Sequence, residues 1–351
     1  MVGREIVPGF DSIIGQRLPI GLLQTLLRKG TVPHALLFTG MAGVGKRTTA
    51  KTFAMAVNCN GPETVGVAGG GTTASEAKPC GRCRSCRQIL SGSHPDVIFI
   101  EPRAGLLRID QIRKLIGTLA LKPFCARQRV VIIADAHAMN AEAGNALLKI
   151  LEEPPADTKL ILTALQKADL LPTIVSRCRH VRFNPIPARE LATVLAREQG
   201  VDDQAAAILA ELAGGSFSES RRMLEAHWQT ERDWLIHAAG LDRPGELDRR
   251  SVTVTLAFAA QLSQSKDRIQ DLLDMLKTWI RDLSILPYGA QYVVNRDALQ
   301  LLNRSRAQIS TKRLLDLWEC VVAAQKAIAG NANLRLTLDV MALHLAGRAA
   351  A

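Results

Sequence analysis

Four short apolar runs, at 34–39, 97–100, 129–134 and 159–163, alternate with stretches whose apolar residues recur at helical spacing, and this alternation restricts the fold more than any other feature of the chain. His34-Ala-Leu-Leu-Phe-Thr39 is polar only at its ends, and Val97-Ile-Phe-Ile100 is apolar throughout. A strand with one face in water alternates apolar and polar residues, whereas a strand covered on both faces has no reason to. The segments between the runs predict helices over Lys46 to Asn58, Asp110 to Leu121 and Ala141 to Leu151. In the second of these, Ile112, Leu115, Ile116 and Leu119 share one face. Buried strands connected through helices build a parallel sheet covered on both sides, an α/β nucleotide-binding architecture.

After Phe183-Asn-Pro-Ile-Pro187 the strand signals stop. Arg189 to Gln199, Asp203 to Leu212 and Ser218 to His227 read as short helices, with Gly200 and Gly214-Gly215 as stops. A second break at Gly240-Leu-Asp-Arg-Pro-Gly245 precedes an all-helical third. The chain of 351 residues is long enough for two or three domains. We expect them at 1–186, 187–240 and 241–351. With 47% hydrophobic and 22% charged residues it is not a disordered chain. No apolar run reaches the ~18 residues of a membrane span, and no signal-peptide core opens the chain, so the expected location is cytoplasmic. The net charge of +11 suggests an anionic partner.

Gly40-Met-Ala-Gly43-Val-Gly45-Lys46 follows a predicted strand and opens a predicted helix, the context a phosphate-binding loop requires. Glycines let backbone N–H groups approach phosphate, the helix N-terminus favours negative charge, and Lys46 reaches the outer phosphates. The next position ordinarily offers a hydroxyl to Mg²⁺, and here it is Arg47. Thr48 follows, but one residue along a helix rotates a side chain by about 100°, which makes it a poor substitute. Asp135 ends the run Val130-Val-Ile-Ile-Ala-Asp135, where a carboxylate can hold Mg²⁺. The residue after it, where an ATPase of this architecture places a second acid to polarise water, is Ala136. The candidate nucleotide set is therefore Gly40, Gly43, Gly45, Lys46, Thr48 and Asp135, with ATP and Mg²⁺ as possible ligands and no independent hydrolysis expected.

Four of the seven cysteines cluster as Cys59 and Cys80-Gly-Arg-Cys83-Arg-Ser-Cys86. Four thiolates suit a closed tetrahedral Zn²⁺ site, which is structural because it leaves no position for substrate; an iron–sulfur cluster uses similar spacing. Arg82, Arg84 and Arg87 flank the cluster and are expected to lower the thiol pKa values. The stretch 61–78, rich in Gly, Thr and Ala, reads as a mobile loop within this module.

Thr173-Ile-Val-Ser176-Arg177-Cys178-Arg179 taken alone is a basic surface loop. Together with Ala146-Leu-Leu-Lys149-Ile-Leu-Glu152-Glu153-Pro-Pro155, the phosphate loop and the cysteine module, in this order, it resembles the clamp-loader branch of the AAA+ family. The resemblance is specific over Pro8 to Phe183. It is looser beyond, where Asn331-Ala-Asn333-Leu is similar to the family's C-terminal collar. It implies an AAA+ domain with an inserted zinc module at 59–86, a helical lid and an all-α collar.

The same resemblance implies a subunit of the bacterial DNA polymerase III holoenzyme, neither polymerase nor ATPase by itself. In such a hetero-pentamer, ATP sits between subunits and the Ser-Arg-Cys motif completes the neighbour's site, so Arg177 is implied as an arginine finger acting in trans. Implied partners are tau/gamma-type ATPase and delta subunits, the sliding clamp indirectly, and primer-template DNA, with Arg179 and Arg182 as candidate phosphate contacts. Phe10 to Gln16 resembles the family's adenine-bordering segment, and Gly215-Ser216 with Arg221-Arg222 resembles its second sensor helix. Two further readings use the same residues: an ATP-hydrolysing tau/gamma-type motor subunit, or a zinc-stapled module that binds nucleic acid directly.

Overall fold

The structure is a computed structural model that describes residues 9–61 and 78–347, so the stretch expected to be a mobile loop falls almost wholly outside the described residues. Five parallel strands, β1 (Ala35–Thr39), β2 (Val97–Ile100), β3 (Arg129–Ile133), β4 (Thr158–Ala164) and β5 (Arg179–Arg182), form one sheet in the order β2-β3-β4-β1-β5. Between and before them run α1 (Arg17–Lys29), α2 (Lys46–Asn58), α3 (Arg84–Leu90), α4 (Ile109–Leu119), α5 (Ala141–Glu152) and α6 (Pro172–Arg177).

The unbroken apolar runs are explained by the two cores that the strands separate. Leu36, Phe38, Val130, Ile132 and Ile161 pack on one side with Phe10, Leu23, Phe53 and Met55. Ala35, Leu37, Val131, Ile133, Leu160 and Leu162 pack on the other with Ile112, Leu115, Leu147 and Ile174. Successive side chains of a strand point to opposite faces, and here both faces are dry. At ~25 cal/mol per Å² of apolar surface, each such side chain contributes on the order of 2 kcal/mol.

The remaining helices are α7 (Ala188–Gln199), α8 (Asp203–Leu212), α9 (Phe217–Glu225), α10 (Trp228–Ala239), α11 (Val252–Gln264), α12 (Ile269–Ile285), α13 (Leu299–Arg306), α14 (Thr311–Ala329) and α15 (Leu334–Leu345). The chain divides into two compact units. One comprises Met1–Glu190 with Gly215–Ser218, and the other Leu191–Gly214 with Glu219–Ala351. In the second unit α11 packs on α15 and α12 on α14. Its buried Arg232 donates to Asn295 and Asp297, and Asp282 accepts the backbone N–H groups of Val294 and Asn295. Among the described residues, no helix is long and apolar enough to cross a membrane.

Candidate functional site

The phosphate loop joins the end of β1 to the start of α2, as the sequence predicts. Gly43 lies at φ +77°, and a Cβ there would fall 2.1 Å from the Ser216 hydroxyl oxygen, so only glycine fits. The Phe217 N–H donates to the Gly43 carbonyl at 3.1 Å, tying the loop to the 215–218 segment of the same unit. Lys46 is 6% exposed, and its ammonium donates to the carbonyls of Gly40 and Met41, the latter at 2.7 Å. Burial draws its pKa down to about 8; Asp135 resists that shift and Arg47 adds to it.

Arg47 does not extend freely from the helix. One guanidinium nitrogen lies 2.6 Å from Asp135 Oδ2 and the other 3.1 Å from Glu101 Oε1. Sequence analysis placed Asp135 as a metal ligand; here its carboxylate is engaged by an arginine. Glu101 is a residue that sequence analysis missed. It follows β2 directly, and β2 pairs in parallel with β3, Ile100 opposite Ile133, so the two strand ends bring both acids to one edge of the sheet. An acid just past an apolar strand was the available signal, but strand adjacency cannot be read locally.

Asp135 itself sits at φ +49° and donates its N–H to the Thr163 hydroxyl at 3.0 Å. Ala136 is fully buried. Thr48 is exposed, while Thr49 is fully buried and spends its hydroxyl on the Gly45 carbonyl at 2.8 Å. Neither threonine stands in for the missing hydroxyl.

At the other end of α2 the four cysteines come together. One sulfur from each of Cys59, Cys80, Cys83 and Cys86 lies within 4.8 Å of the others. A tetrahedron with metal–sulfur bonds of ~2.3 Å needs sulfurs about 3.8 Å apart, so the donor set fits a thiophilic ion. Backbone N–H groups point at the sulfurs: Gly61 and Cys80 at Cys59, Cys83 at Cys80, and Cys86 at Cys83, all at 3.3–3.5 Å. The last of these caps α3.

Burial pushes the Cys59 and Cys86 thiols up. Burial pushes Cys80 up as well, but the N–H groups of Cys83 and Arg82 outweigh it and bring the thiol to about 7. The lowering comes foremost from backbone amides, not from the flanking guanidinium groups expected to cause it.

Arg177 closes α6. It pairs with Glu152 at 2.8 Å, donates to the Thr173 carbonyl, and keeps 36% of its side chain exposed. Arg179 and Arg182 are both exposed on β5, but residues three apart on a strand face opposite sides, so they do not form one surface. In the second unit Arg222 pairs with Glu219 and Asp271, and Arg221 with Glu225.

Residues 15–187 match the family model described as DNA polymerase III, delta subunit. The chain is 30% identical over 323 residues to DNA polymerase III subunit delta′ of Pseudomonas aeruginosa, spanning 88% of this chain and 90% of that protein. It is 27% identical over 336 residues to the subunit of the same name from Bacillus subtilis, spanning 92% and 94%. DNA polymerase III subunit tau/gamma of Haemophilus influenzae is 33% identical over 216 residues, which are 60% of this chain and 30% of that protein.

Proposed function

Because the chain belongs to the DNA polymerase III delta′ family, we propose that it is a non-motor subunit of the replicative clamp loader. In this reading it assembles with tau/gamma-type ATPase and delta subunits in a hetero-pentamer, acts on the sliding clamp through them, and meets primer-template DNA within the complex. The segment 187–240 serves as its lid and 241–351 as its collar.

The observation that carries the non-motor reading is the pairing of Arg47 with Asp135 and Glu101. The carboxylate that would hold Mg²⁺ is engaged, and Ala136 offers nothing to polarise a water. Gly40, Gly43, Gly45 and Lys46 form the nucleotide-binding loop of this reading, with Asp135 beside it just past the end of β3 and Thr48 at its margin. The half-buried Arg177 is the group offered outward. Its guanidinium, held by Glu152 and by the Thr173 carbonyl, would meet the γ-phosphate of ATP bound to the next subunit and neutralise charge that develops as the phosphoryl group transfers. An arginine finger is worth ~10³–10⁵ in rate where it has been measured.

Zn²⁺ is the proposed ion for the four cysteines, with all four as ligands. When bound it would staple the module, and no reaction step passes through it.

The test is the DNA- and clamp-stimulated ATPase rate of the reconstituted loader, wild type against Arg177→Ala, with this chain alone as baseline. A silent baseline and a fall of at least ~10³-fold support the reading. Turnover by the chain alone would make it a motor, and a silent baseline with an unaffected variant would leave only a scaffold.

A further inference from the structure

A phosphate loop ordinarily works with a divalent cation held by a hydroxyl after its lysine and by an acid at a strand end. Neither ligand is free for that task here. The hydroxyl position is Arg47, Thr48 is exposed, and the Thr49 hydroxyl is committed to the Gly45 carbonyl. The acid is committed as well, since Asp135 Oδ2 lies 2.6 Å from a guanidinium nitrogen. Mg²⁺ demands near-octahedral oxygen ligation and dehydrates reluctantly. To enter, it would have to displace a charge-assisted hydrogen bond and would find no hydroxyl. The residues present do not fit the ion.

They do fit an anion. The Arg47 guanidinium has five N–H donors. Two are directed at Glu101 and Asp135, and the side chain remains half exposed at the first turn of α2, next to Lys46. Glu101 and Asp135 each take one of these donors, which leaves three of the five for a phosphoryl oxygen. Arginine suits this task better than lysine, because its planar fork engages carboxylate and phosphate together.

We propose that Arg47 takes the place of the divalent cation, so that the phosphate loop accepts a nucleotide polyphosphate without a bound metal ion. This rests on the reading of the loop as a nucleotide site and is independent of the role of Arg177.

The experiment is titration of the full chain with ATP by calorimetry, once in EDTA and once in millimolar Mg²⁺, together with electron paramagnetic resonance of Mn²⁺ added with ATP. The wild type should bind ATP in EDTA and bind it at least about tenfold more weakly in millimolar Mg²⁺, which withdraws the nucleotide into its own metal complex, and its Mn²⁺ signal should match that of Mn²⁺ with ATP alone. Arg47→Thr, which restores a hydroxyl and frees Asp135, should bind at least about tenfold more tightly with Mg²⁺ than with EDTA and should immobilise Mn²⁺. Arg47→Lys, which keeps the charge without the fork, should bind more weakly than wild type in EDTA and gain no affinity from Mg²⁺. A wild type that binds ATP as tightly in Mg²⁺ as in EDTA, or more tightly, would overturn the substitution of arginine for metal. An Arg47→Thr variant that Mg²⁺ weakens as it weakens the wild type would overturn Arg47 as the cause. No ATP binding in either buffer would overturn the nucleotide site itself while leaving the trans role of Arg177 standing.

Discussion

The two ends of α2 handle the same electrostatic problem in opposite ways. At the N-terminal end, Asp135 and Glu101 converge, and the chain supplies the neutralising charge itself through Arg47. At the C-terminal end, Cys59 converges with Cys80, Cys83 and Cys86, and backbone N–H groups are the donors aimed at the sulfurs. Amide dipoles do not by themselves offset four thiolates, and burial pushes the Cys59 and Cys86 thiols up. The phosphate end is therefore neutralised by what the sequence encodes, whereas the cysteine end offers a donor set that would take an ion from outside. A side chain can replace a cation when the ligands are two exposed carboxylates, because an exposed ion pair loses little solvation. It cannot fit at the centre of four sulfurs held this close.

The largest effect that would break this comparison is loss of the metal. For the zinc-loaded chain, chelation or Cys86→Ser should lower the melting temperature by about 10 °C or more, as a loss of several kcal/mol does in a unit of this size. Metal content and a thermal melt measured together decide it, and an unchanged melting temperature would show that the cysteine end is as self-sufficient as the other.

A third charged group shows what happens when an internal pair is sealed. Asp96 is 1% exposed and pairs with Arg129, 4% exposed, at 3.4 Å. The N–H groups of Phe124, Cys125 and Ala126 also donate to it. Asp96→Ala strands the arginine and should cost ~3–5 kcal/mol in denaturant unfolding, far more than any change at Arg47. Equal costs at the two sites would erase the distinction between a sealed pair and an exposed one.

The same carboxyl predicts the acid limb of stability. Burial alone would raise its pKa, but the three amides and Arg129 outweigh burial and bring it down to about 2, below its ordinary 3.8. A depressed acid stabilises the fold fully above its unfolded pKa. This contribution, on the order of 2 kcal/mol, should be present above about pH 4 and lost as the pH falls from there toward 2. Asp96→Asn should flatten that limb in a pH series of unfolding curves, and an unchanged limb would assign acid sensitivity elsewhere.

The smallest effect is expected at the phosphate end. Arg47→Thr removes an exposed pair and should change stability by less than ~1 kcal/mol, with no gain in hydrolysis, because Ala136 still lacks a carboxylate. Turnover by this single variant would place the defect in Arg47 alone.

Much of this was legible in the sequence. The α2 and β2 boundaries coincide with those read from periodicity, and the phosphate loop sits where its glycines place it. Two helices were not legible. α1 carries Pro19 and Gly21, residues that disfavour a helix interior. Pro19, however, falls in the first turn, where its missing N–H has no partner within the helix. In α3, the capping group is the Cys83 sulfur, outside the usual set of capping side chains.

The candidate residues themselves were legible, but their partners were not. Glu101 lies 54 positions from Arg47, and Glu152 meets Arg177 only because α5 and α6 pack together. The Asp96 clamp depends on the 124–126 backbone curling round one carboxylate, an arrangement without periodicity or motif.

The phosphate loop and the cysteine cluster are also joined by a rod. Lys46 begins α2 and Asn58 ends it, one residue before Cys59, and the Asn58 amide is locked to the Gln128 backbone through both its oxygen and its nitrogen. Thirteen helical residues span about 20 Å at 1.5 Å each. A tilt of about 5° at the phosphate end would therefore swing the far end by about 1.7 Å, as lever arithmetic on that rise gives. That is a large fraction of a metal–sulfur bond. Because Ala50, Phe53, Ala54 and Met55 bury that rod in the core, the phosphate loop and the cysteine cluster are held at a fixed separation by one packed helix.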